Sequence, residues 1–576
     1  MKRSVRLPSR VPGLLSVALV LVSLGCGGKD SIPSDESDGT TVDAVGDLAA
    51  DVALPDAEGT EADGGDFDSS GLGDAAGEVL DPVLSGLEVQ TFENAPLSAL
   101  LKVTSTPPAN VEVVVVEAGT DRSFMVREKT GPASQHEVPL LGLRPDRSYE
   151  LSVRAVVDGT PVGLESTAAL KTPTLPADAP PVAVTVTNPE SMSPGFTLLN
   201  LGRWAFILDL SWGRMLALDE AGDIVWYLEL PYLAQGVEHL ANGNLLFVAG
   251  VDSVVEVDML GRTVGKWVAP DLGLDTFHHS ATRLPSGNTV ALSTEIRLID
   301  GYVLNDGSTA SFNVVGDVVA EFSPDGKVLQ TWKLLDLLDP HVIKPDFLLP
   351  FWDLIYPGQK GGTKDWSHGN SVRYVEADDS FLVTLATLSW VVKIGRTSGK
   401  VEWIAGDGGN LDLTGPGKWP VHAHAGKMLP NSRVLLADGG QNGAEHSPRP
   451  VIYAIEPSES PEANGTASEE WSFEQEPFVA LGPGDADFLE NGNILFTDGT
   501  HVEYPDLPPL SPSNLLWVRV QELTPKMPPE LVFEATVKDV AEQKTRYMST
   551  GSERFGSLYP PGFEVVPVNT EGRPPQ

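Results

Sequence analysis

Residues 419–440 read WPVHAHAGKMLPNSRVLLADGG and combine two histidines with a turn and a strand. His422 and His424 come just before a Leu-Pro-Asn turn at 429–431. The apolar run at 434–436, directly after the turn, is typical of a short buried strand. This order of histidine, turn and buried strand indicates the unit from which the larger part of the chain is built.

Two other parts of the chain repeat this unit. FHHSATRLPSGNTVAL at 277–292 places His279 at the same distance before its turn as His424. DWSHGNSVRYVEADDSFLV at 365–383 is an altered copy around His368. A histidine at one position of several repeated strands is the main functional signal in this sequence.

Units of roughly 40 to 60 residues recur from about residue 190 onward, a period that indicates the blades of a β-propeller. A turn similar to Leu-x-Asn-Gly opens them at residues 240–247, 284–291, 429–436 and 489–496. A tryptophan recurs near their ends, as Trp226, Trp267, Trp332, Trp403 and Trp471. We therefore predict a six-bladed β-propeller over residues 190–576, closed by pairing of the segment from Tyr547 to Phe563 with the first blade. The first strand of each blade lines a central channel, so the repeated histidines should meet at one mouth of it.

Residues 85–175 predict a small fibronectin-like β-sandwich, which makes the whole protein all-β. Apolar and polar side chains alternate there between turn signals. LGLRPDRSYELSVRA at 141–155 resembles the last strands of fibronectin-type domains, with Tyr149 as the corner tyrosine. The proline-rich stretch at 172–181 links this domain to the repeats.

Residues 1–25 have the pattern of a lipoprotein signal peptide. A basic start precedes an apolar run at 14–24 that is too short for a comfortable membrane span. Cys26, the only cysteine, follows where such signals place the lipidated residue, and ordinary secretion is the alternative. We expect an exported protein that is lipid-anchored in the cell envelope, on the periplasmic side or at the outer membrane.

Residues 26–84 are predicted to form an acidic, disordered tether. Residues 27–82 carry sixteen acidic residues and one lysine, with little apolar surface to offset the entropy of ordering. The whole chain has a formal net charge of −41. Such a charge argues against nucleic acid as a partner, because phosphate binding needs clustered lysine and arginine.

Three kinds of chemistry are open to a cluster of histidines. A three-histidine zinc site is one, although the His-x-His pattern at 422–424 does not secure it. Histidine can also act as a covalent nucleophile toward an anionic group, with other histidines as cationic stabilisers and proton donors. In the third interpretation the histidines catalyse no reaction and the propeller only binds a ligand, because propellers are common binding platforms.

The chain resembles the bacterial periplasmic arylsulfate sulfotransferases that do not use a nucleotide sulfate donor. The resemblance covers the sandwich, where NAPLSALLKV at 94–103 is similar to the family's first strand, and the whole propeller. It is sharpest at residues 278–288, 365–374 and 424–431, which occur in the family's order. The resemblance implies that His424 takes the sulfuryl group of a phenyl sulfate as a sulfohistidine and passes it to a phenol in a ping-pong cycle.

Roles for the other site residues follow from the same resemblance. His279 and His368 would hold the sulfate oxygens or protonate the leaving phenolate. Asn370 would add a hydrogen bond, and His278 and His422 would complete the substrate-binding set. The implied partners are a small phenolic sulfate donor and a phenol acceptor, and no metal or other cofactor is expected. We expect no nucleic-acid partner and attachment to the membrane through the lipid anchor. An oligomer is possible.

The chain departs from the family where a sulfate-holding arginine is expected, because that position is Ala386. Loss of a bidentate cation weakens a desolvated anion site. Arg297, in an apparent loop, is the candidate substitute, and the family's disulfide is absent because there is one cysteine. The aromatic residues considered for stacking a phenol, with blade packing as the alternative, are Phe277, Trp366, Trp390 and Trp419.

Two functions therefore stay open. The first is sulfuryl transfer between phenolic compounds, with this donor or another. The second is a non-catalytic exported propeller lipoprotein that binds aromatic anions or an envelope partner. A channel mouth plugged by the segment from Leu334 to Lys364 would favour the second function.

Overall fold

The computed structural model describes residues 81–568 apart from 205–207, 305, 441–446, 459, 461–462, 483, 505–510, 512 and 540–544. The predicted signal peptide, Cys26 and nearly all of the predicted tether lie outside the described residues. The described part of the chain is built mainly of β-strands, which confirms the all-β class. None of its helices is long and apolar enough to cross a membrane.

The N-terminal domain is a β-sandwich around one long strand. Its strands are β1 (Val83–Thr91), β2 (Ala99–Glu117), β3 (Ser123–Glu128), β4 (Ala133–Leu140), β5 (Ser148–Val157), β6 (Thr160–Lys171) and β35 (Phe563–Pro567). The first half of β2 pairs with β1 and β4, and its second half pairs with β3 and β5, so β2 contributes to both sheets. The backbone N–H of Arg144 donates to the buried Tyr149 hydroxyl at 2.7 Å, as predicted for a corner tyrosine.

The other described strands form six sheets. Sheet 1 contains β8 (Phe196–Trp204), β9 (Gly213–Leu218), β10 (Ile224–Leu230) and β34 (Arg546–Phe555). Sheet 2 contains β11 (Ala234–His239), β12 (Leu245–Ala249), β13 (Ser253–Val257) and β14 (Thr263–Val268). Sheet 3 contains β15 (His278–Arg283), β16 (Thr289–Val303), β17 (Thr309–Phe322), β18 (Val328–Lys333) and β19 (Thr363–Asp365).

Sheets 4 to 6 continue the series. Sheet 4 contains β20 (Gly369–Val375), β21 (Ser380–Leu385), β22 (Trp390–Gly395) and β23 (Val401–Ala405). Sheet 5 contains β24 (Leu411–Thr414), β25 (His424–Leu429), β26 (Arg433–Asp438), β27 (Arg449–Glu456) and β28 (Gly465–Ser472). Sheet 6 contains β29 (Asp485–Phe488), β30 (Ile494–Thr497), β31 (His501–Val502), β32 (Leu516–Leu523), β33 (Leu531–Val537) and β7 (Val182–Val186).

Helical segments are short. Among the described residues, one α-helix spans Leu334–Leu337. The 3₁₀ turns are Pro189–Ser191, Ala269–Leu272, Pro345–Leu348, Phe351–Leu354 and Glu376–Asp378.

The innermost strands of the six sheets form a closed ring. Each contacts the next in the order β34, β11, β15, β20, β25, β29 and back to β34. Both ends of the repeat region close the ring, because β34 pairs with β8 in sheet 1 and β7 pairs with β33 in sheet 6. The first of these pairings confirms the predicted role of the segment from Tyr547 to Phe563, and the arrangement is that of a β-propeller.

The structure differs from the predicted domain bounds at both ends of the propeller. Residues 563–567, predicted as propeller, form β35 at the edge of the sandwich, paired with β3. The strand β7 belongs to sheet 6 although the sequence places it in the linker region. A single core cluster also joins the sandwich to sheets 1 and 2, with Trp226 of β10 donating its indole N–H to the Met259 carbonyl at 2.7 Å.

Candidate active site

Three histidines lie at the same end of three neighbouring innermost strands. His279 is the second residue of β15, His368 immediately precedes β20, and His424 is the first residue of β25. β20 contacts β15 on one side and β25 on the other. The ring centroids of His279 and His368 are 5.2 Å apart, in an edge-on arrangement. His424 lies close enough that a charge on His368 lowers the pKa of His424.

The backbone is irregular at each of these histidines. The pairing register shifts between His278 and Ala281, between Gly369 and Ser371, and between His424 and Lys427. Left-handed backbone conformations occur at His279 (φ 57°), His368 (φ 46°), His422 (φ 51°) and Ala425 (φ 53°). Residues other than glycine rarely adopt this region, and bulges next to active sites re-aim side chains. The repeated irregularity therefore explains how the start of three ordinary strands becomes one cluster of imidazoles.

His278 is fixed and buried behind His279. Its Nε2 lies 3.1 Å from an Asp317 carboxylate oxygen and 3.2 Å from the Ser293 carbonyl oxygen, so Nε2 must carry a proton. Its Nδ1 is 3.0 Å from Nδ1 of His279. In the tautomer in which the His279 Nδ1–H donates this bond, Nε2 of His279 carries no proton. His278, predicted to bind substrate, is 1% exposed and acts on the ring of His279.

His368 is held by a carboxylate that is itself held by an indole. His368 Nδ1 is 2.6 Å from Asp365 Oδ2, and the Trp352 indole N–H donates to Asp365 Oδ1 at 2.8 Å. Asp365 and Trp352 are each 2% exposed. Because Nδ1–H donates to the carboxylate, Nε2 is the His368 nitrogen left to act on a ligand.

The same segment of chain presents an exposed aromatic ring to His368. Phe351 is 48% exposed, and its ring centroid lies 4.6 Å from that of His368 in a T-shaped contact. Leu348, at 51%, and Leu354, at 58%, are also exposed in this segment. The sequence analysis did not single out Phe351, because its segment lies far along the chain from each histidine repeat.

His422 joins this segment to sheet 5. Its Nε2 bonds to the Asp346 carboxylate, and its Nδ1 is 3.1 Å from the Gly440 carbonyl oxygen. Both ring nitrogens are thus occupied, so His422 fastens the segment from Leu334 to Lys364 over the histidines. We call residues 334–364 the strap. The strap partly covers the site, which the sequence analysis considered as a plug, but His279, His368 and His424 all stay partly exposed.

Asn370 and Gly369 complete the start of β20. The Asn370 amide donates to the Ala423 carbonyl at 2.7 Å, which ties β20 to the residue before His424. The Asn370 Oδ1 atom is buried without a hydrogen-bond partner. A Cβ at Gly369 would lie 2.7 Å from an Asp317 carboxylate oxygen, and the Gly369 N–H donates to Asp317 at 2.7 Å. Only glycine permits this close approach of backbone to carboxylate.

The three histidines have opposite shifts in pKa. Burial, and then the charges of neighbouring histidines, lower the pKa of His279 and of His424 well below the usual value. Burial also lowers the pKa of His368, but Asp365, Asp317 and Asp346 outweigh it, so the pKa of His368 is raised. The surroundings therefore favour the neutral form of His279 and His424 and the charged form of His368.

The predicted aromatic residues mostly serve packing. Phe277, Trp366 and Trp390 are at most 3% exposed within core clusters, as expected for the packing alternative. Trp419 lies against the ring of Tyr453 at 5.6 Å. These contacts leave Phe351 as the exposed ring that touches a site histidine in the described part of the chain.

Arg297 does not take the place of the family's arginine. It lies within β16, not in a loop, and its guanidinium pairs with Glu295 and Asp336 at 2.5 Å each. Ala386 is 7% exposed and its N–H donates to the His368 carbonyl at 3.0 Å. Because the Ala386 side chain is an uncharged methyl group, this position supplies no cation.

A cavity of about 680 Å³ opens at the opposite ends of β20 and β25, and none of the site histidines lines it. Lys427 bonds there to Asp485 at 2.9 Å and also to Asp487. Across the described residues, no three His, Cys, Asp or Glu side chains are arranged to hold a metal ion.

Comparison with known proteins identifies the family. The sequence profile of the arylsulfotransferase (ASST) family matches residues 182–548, and that of the arylsulfotransferase Ig-like domain matches residues 87–173. The chain belongs to the arylsulfotransferase family. Membership confirms the resemblance seen in the sequence and supports a sulfotransferase function.

The curated relatives are distant members of this family. Arylsulfate sulfotransferase AssT of Escherichia coli O6:H1 is 25% identical over 358 residues, which cover 58% of this chain and 49% of AssT. AssT of Lelliottia amnigena is 22% identical over 393 residues, which cover 56% of this chain and 63% of that protein. The arylsulfotransferase chain thus spans about half of the first relative's length and under two thirds of the second's.

Solved structures with similarity to the chain include propellers of other functions. The β-propeller domain of Myceliophteria thermophila Cps50 (Swd1) aligns with a TM-score of 0.30 at 8% identity, covering 62% of this chain and 96% of that one. The periplasmic gluconolactonase PpgL of Pseudomonas aeruginosa aligns with a TM-score of 0.31 at 11% identity, covering 65% and 90%.

Proposed function

We propose that the protein is an arylsulfate sulfotransferase that moves a sulfuryl group from a phenolic sulfate ester to a phenol through a sulfohistidine at His424. The observation that carries the proposal is the convergence of His279, His368 and His424 at the start of β15, β20 and β25. Their opposite pKa shifts supply an unprotonated nucleophile and a proton donor in one place.

In the first half-reaction, His424 attacks the sulfur of the donor. Its imidazole is neutral at neutral pH and has no hydrogen-bond partner among the described residues, so a ring nitrogen keeps a free lone pair. The N–S bond forms while the S–O bond to the aryl group breaks. The electron pair of the broken bond stays on the phenolate oxygen, and the His368 Nε2–H donates its proton there.

The second half-reaction runs in reverse on the acceptor. The phenol gives its proton to the now neutral His368, and its oxygen attacks the sulfur. The N–S bond breaks and its electron pair returns to His424, which leaves the enzyme as it started. One residue serves as acid and then as base because the two half-reactions are chemically alike.

The neighbouring side chains hold this arrangement. Nε2 of His279 and the unpartnered Oδ1 of Asn370 are both acceptors, so we propose that they accept from the hydroxyl of the incoming phenol and do not hold the sulfuryl oxygens. His278 and His422, whose ring nitrogens are all occupied, orient His279 and the strap instead of contacting substrate. Phe351 is the ring against which we expect the aryl group to pack.

The partners and location follow the sequence analysis. We propose a small phenolic sulfate donor, a phenol acceptor, no cofactor, export to the periplasmic side and a lipid anchor at Cys26, with an oligomer left open. The anchor residue lies outside the described residues. Mass spectrometry of membrane-fraction protein would detect an acylated Cys26, whereas an unmodified thiol would contradict the anchor.

A second function is favoured by the strap. The strap contacts His278, His368 and His422. In addition, Ala386 stands where the family's sulfate-holding arginine is expected. A propeller that binds aromatic anions under such a cover, without chemistry, fits both observations.

The deciding experiment is intact-protein mass spectrometry after brief mixing with excess p-nitrophenyl sulfate and no acceptor. We expect the mass of one added sulfuryl group, mapped to His424, together with release of nitrophenolate. His424→Asn should abolish both because the nucleophile is gone. Turnover at the wild-type rate in that variant would contradict the covalent mechanism, and binding of the donor without adduct or release would support the binding protein.

A further inference from the structure

The proposed role of His368 as an acid depends on a series of contacts from Trp352 through Asp365 to His368. The Trp352 indole N–H holds one oxygen of Asp365 at 2.8 Å, and the other oxygen is 2.6 Å from His368 Nδ1. The Asp365 carboxylate thus has a fixed partner on each oxygen. A carboxylate fixed in this way determines both the orientation of the imidazole and which nitrogen faces away from it.

The three groups lie within 17 residues of sequence but belong to different structural elements. Asp365 ends β19, which pairs in parallel with β17 and so anchors the carboxylate to sheet 3. Trp352 belongs to the strap, and its ring also contacts His278 at a centroid distance of 5.1 Å. His368 precedes β20 of sheet 4. The arrangement is therefore built from two sheets and the strap, and is more than a local turn.

Other charged groups also face His368. Asp317 and Asp346 add to the effect of Asp365, while His279 and His424 on the neighbouring strands oppose a further positive charge. Of the carboxylates, Asp365 is the one in direct hydrogen-bond contact with the ring. Its removal should change the proton on His368 more than removal of either of the other two.

We propose that Asp365, locked by Trp352, is a positioning residue that makes His368 Nε2 the proton donor to the leaving phenolate. The inference rests on the proposed function and deepens it. In the reacting state the S–O bond breaks, its electron pair goes to the phenolate oxygen, and the His368 Nε2 proton moves to that oxygen. Asp365 does not touch substrate and keeps the positive charge on the ring until this transfer.

Leaving-group dependence separates this role from a merely structural one. Nitrophenolate spreads its negative charge and leaves without much help, whereas unsubstituted phenolate needs a proton. Loss of the acid should therefore slow sulfohistidine formation from phenyl sulfate by about 10- to 100-fold and from p-nitrophenyl sulfate by less than about threefold. General loss of structure would slow both donors alike.

The experiment measures single-turnover sulfohistidine formation in full-length wild-type protein and Asp365→Asn, with both donors and across pH. We expect the donor-selective loss above and a shift of the alkaline limb to lower pH, because His368 loses the carboxylate that favours its charged form. Trp352→Phe, which keeps an aromatic side chain but removes the N–H and part of the indole, should show the same selectivity with a smaller loss. Trp352→Phe also tests the inference if Asp365→Asn fails to fold.

Two controls complete the design. In a His368→Ala background, Asp365→Asn should have no further effect, because a positioning residue acts through its partner. Asp339→Asn, an exposed strap carboxylate, should match wild type. Equal loss with both donors, or an undiminished effect without His368, would overturn the inference while His424 labelling stays intact. Absence of labelling in wild type would instead remove the proposed function itself.

Discussion

The ion pair between Asp346 and His422 should control how tightly the strap covers the site. Asp346 lies in the 3₁₀ turn Pro345–Leu348, just before Phe351 and Trp352. Replacing it with asparagine removes the charge that bonds to His422 Nε2 and leaves only the Gly440 contact, at 3.1 Å, on that ring. The strap should then open more often without loss of the propeller.

The size of the effect follows from the exposure of the pair. Hydrogen bonds to charged groups contribute about 1.5 to 3 kcal/mol. The lower value applies because the His422 side chain is 32% exposed and that of Asp346 is 18% exposed. About 1.4 kcal/mol corresponds to a tenfold change in an equilibrium, so amide hydrogen exchange in strap residues should rise about tenfold.

The same pair predicts how strap opening depends on pH. Burial lowers the pKa of His422, but Asp346 outweighs it and the net pKa is raised. A raised pKa contributes stability that is complete below the ordinary value of about 6.5 and is lost as the pH rises through the folded value. Wild-type strap exchange, corrected for its intrinsic pH dependence, should therefore increase as the pH rises above about 6.5.

Hydrogen-exchange mass spectrometry of peptides from the strap measures both effects. Asp339→Asn is the matched control, because Asp339 pairs with His341 in the same strap and its side chain is 68% exposed. Exposed pairs of this kind contribute little, so that variant should exchange like wild type. Equal protection in Asp346→Asn and wild type, or no change with pH, would refute the role of the pair.

Two further changes test the aryl contact and the stability of sheet 5. Phe351→Ala should raise the KM for aryl sulfate donors about 2- to 10-fold, since aromatic contacts contribute about 0.5 to 1.5 kcal/mol. Leu298→Ala, at another exposed apolar side chain, is the control and should leave steady-state kinetics unchanged. An equal KM in both variants would exclude the contact between Phe351 and the aryl group. Arg449→Met should lower the free energy of unfolding by about 3 to 5 kcal/mol, because it leaves two carboxylates without their buried cation. The Arg449 side chain is 1% exposed and bonds to Asp438 and Glu469, so a denaturation midpoint equal to that of wild type would contradict this account.

The repeated histidines could be predicted from the sequence because a propeller turns sequence period into spatial position. His279, His368 and His424 each lie within two residues of the start of an innermost strand, and the repeated position before a turn indicates this from the sequence. The recurring tryptophans, predicted from the same period, lie in outer strands of their sheets, as Trp267 in β14 and Trp332 in β18 show.

The groups that set the chemistry could not be predicted in this way. Asp365 precedes His368 by three residues, yet three-residue spacing has no meaning until β19 and the start of β20 take their bulged path. Asp346 and Trp352 come from an insertion after β18 that follows no period at all. The pKa shifts depend on these non-repeating contacts, so the sequence alone places the proposed nucleophile, His424, but leaves the proposed proton donor open between His279 and His368.

The charge arrangement is compatible with the proposed action on a sulfate ester, although the protein is acidic and residue 386 is alanine. Three aspartates surround the histidines, and each is bonded to a different one: Asp317 to His278, Asp346 to His422 and Asp365 to His368. Because Asp365 is buried and bonded to an indole, the carboxylate of its pair lies in the interior while Nε2 of the imidazolium faces the site. A dipole in this orientation attracts an anion less strongly than an arginine would, but unlike arginine it can release a proton. We therefore expect that having the His368 imidazolium in place of an arginine weakens donor binding in the ground state more than it slows departure of the phenolate. The main effect should be a higher KM for the donor.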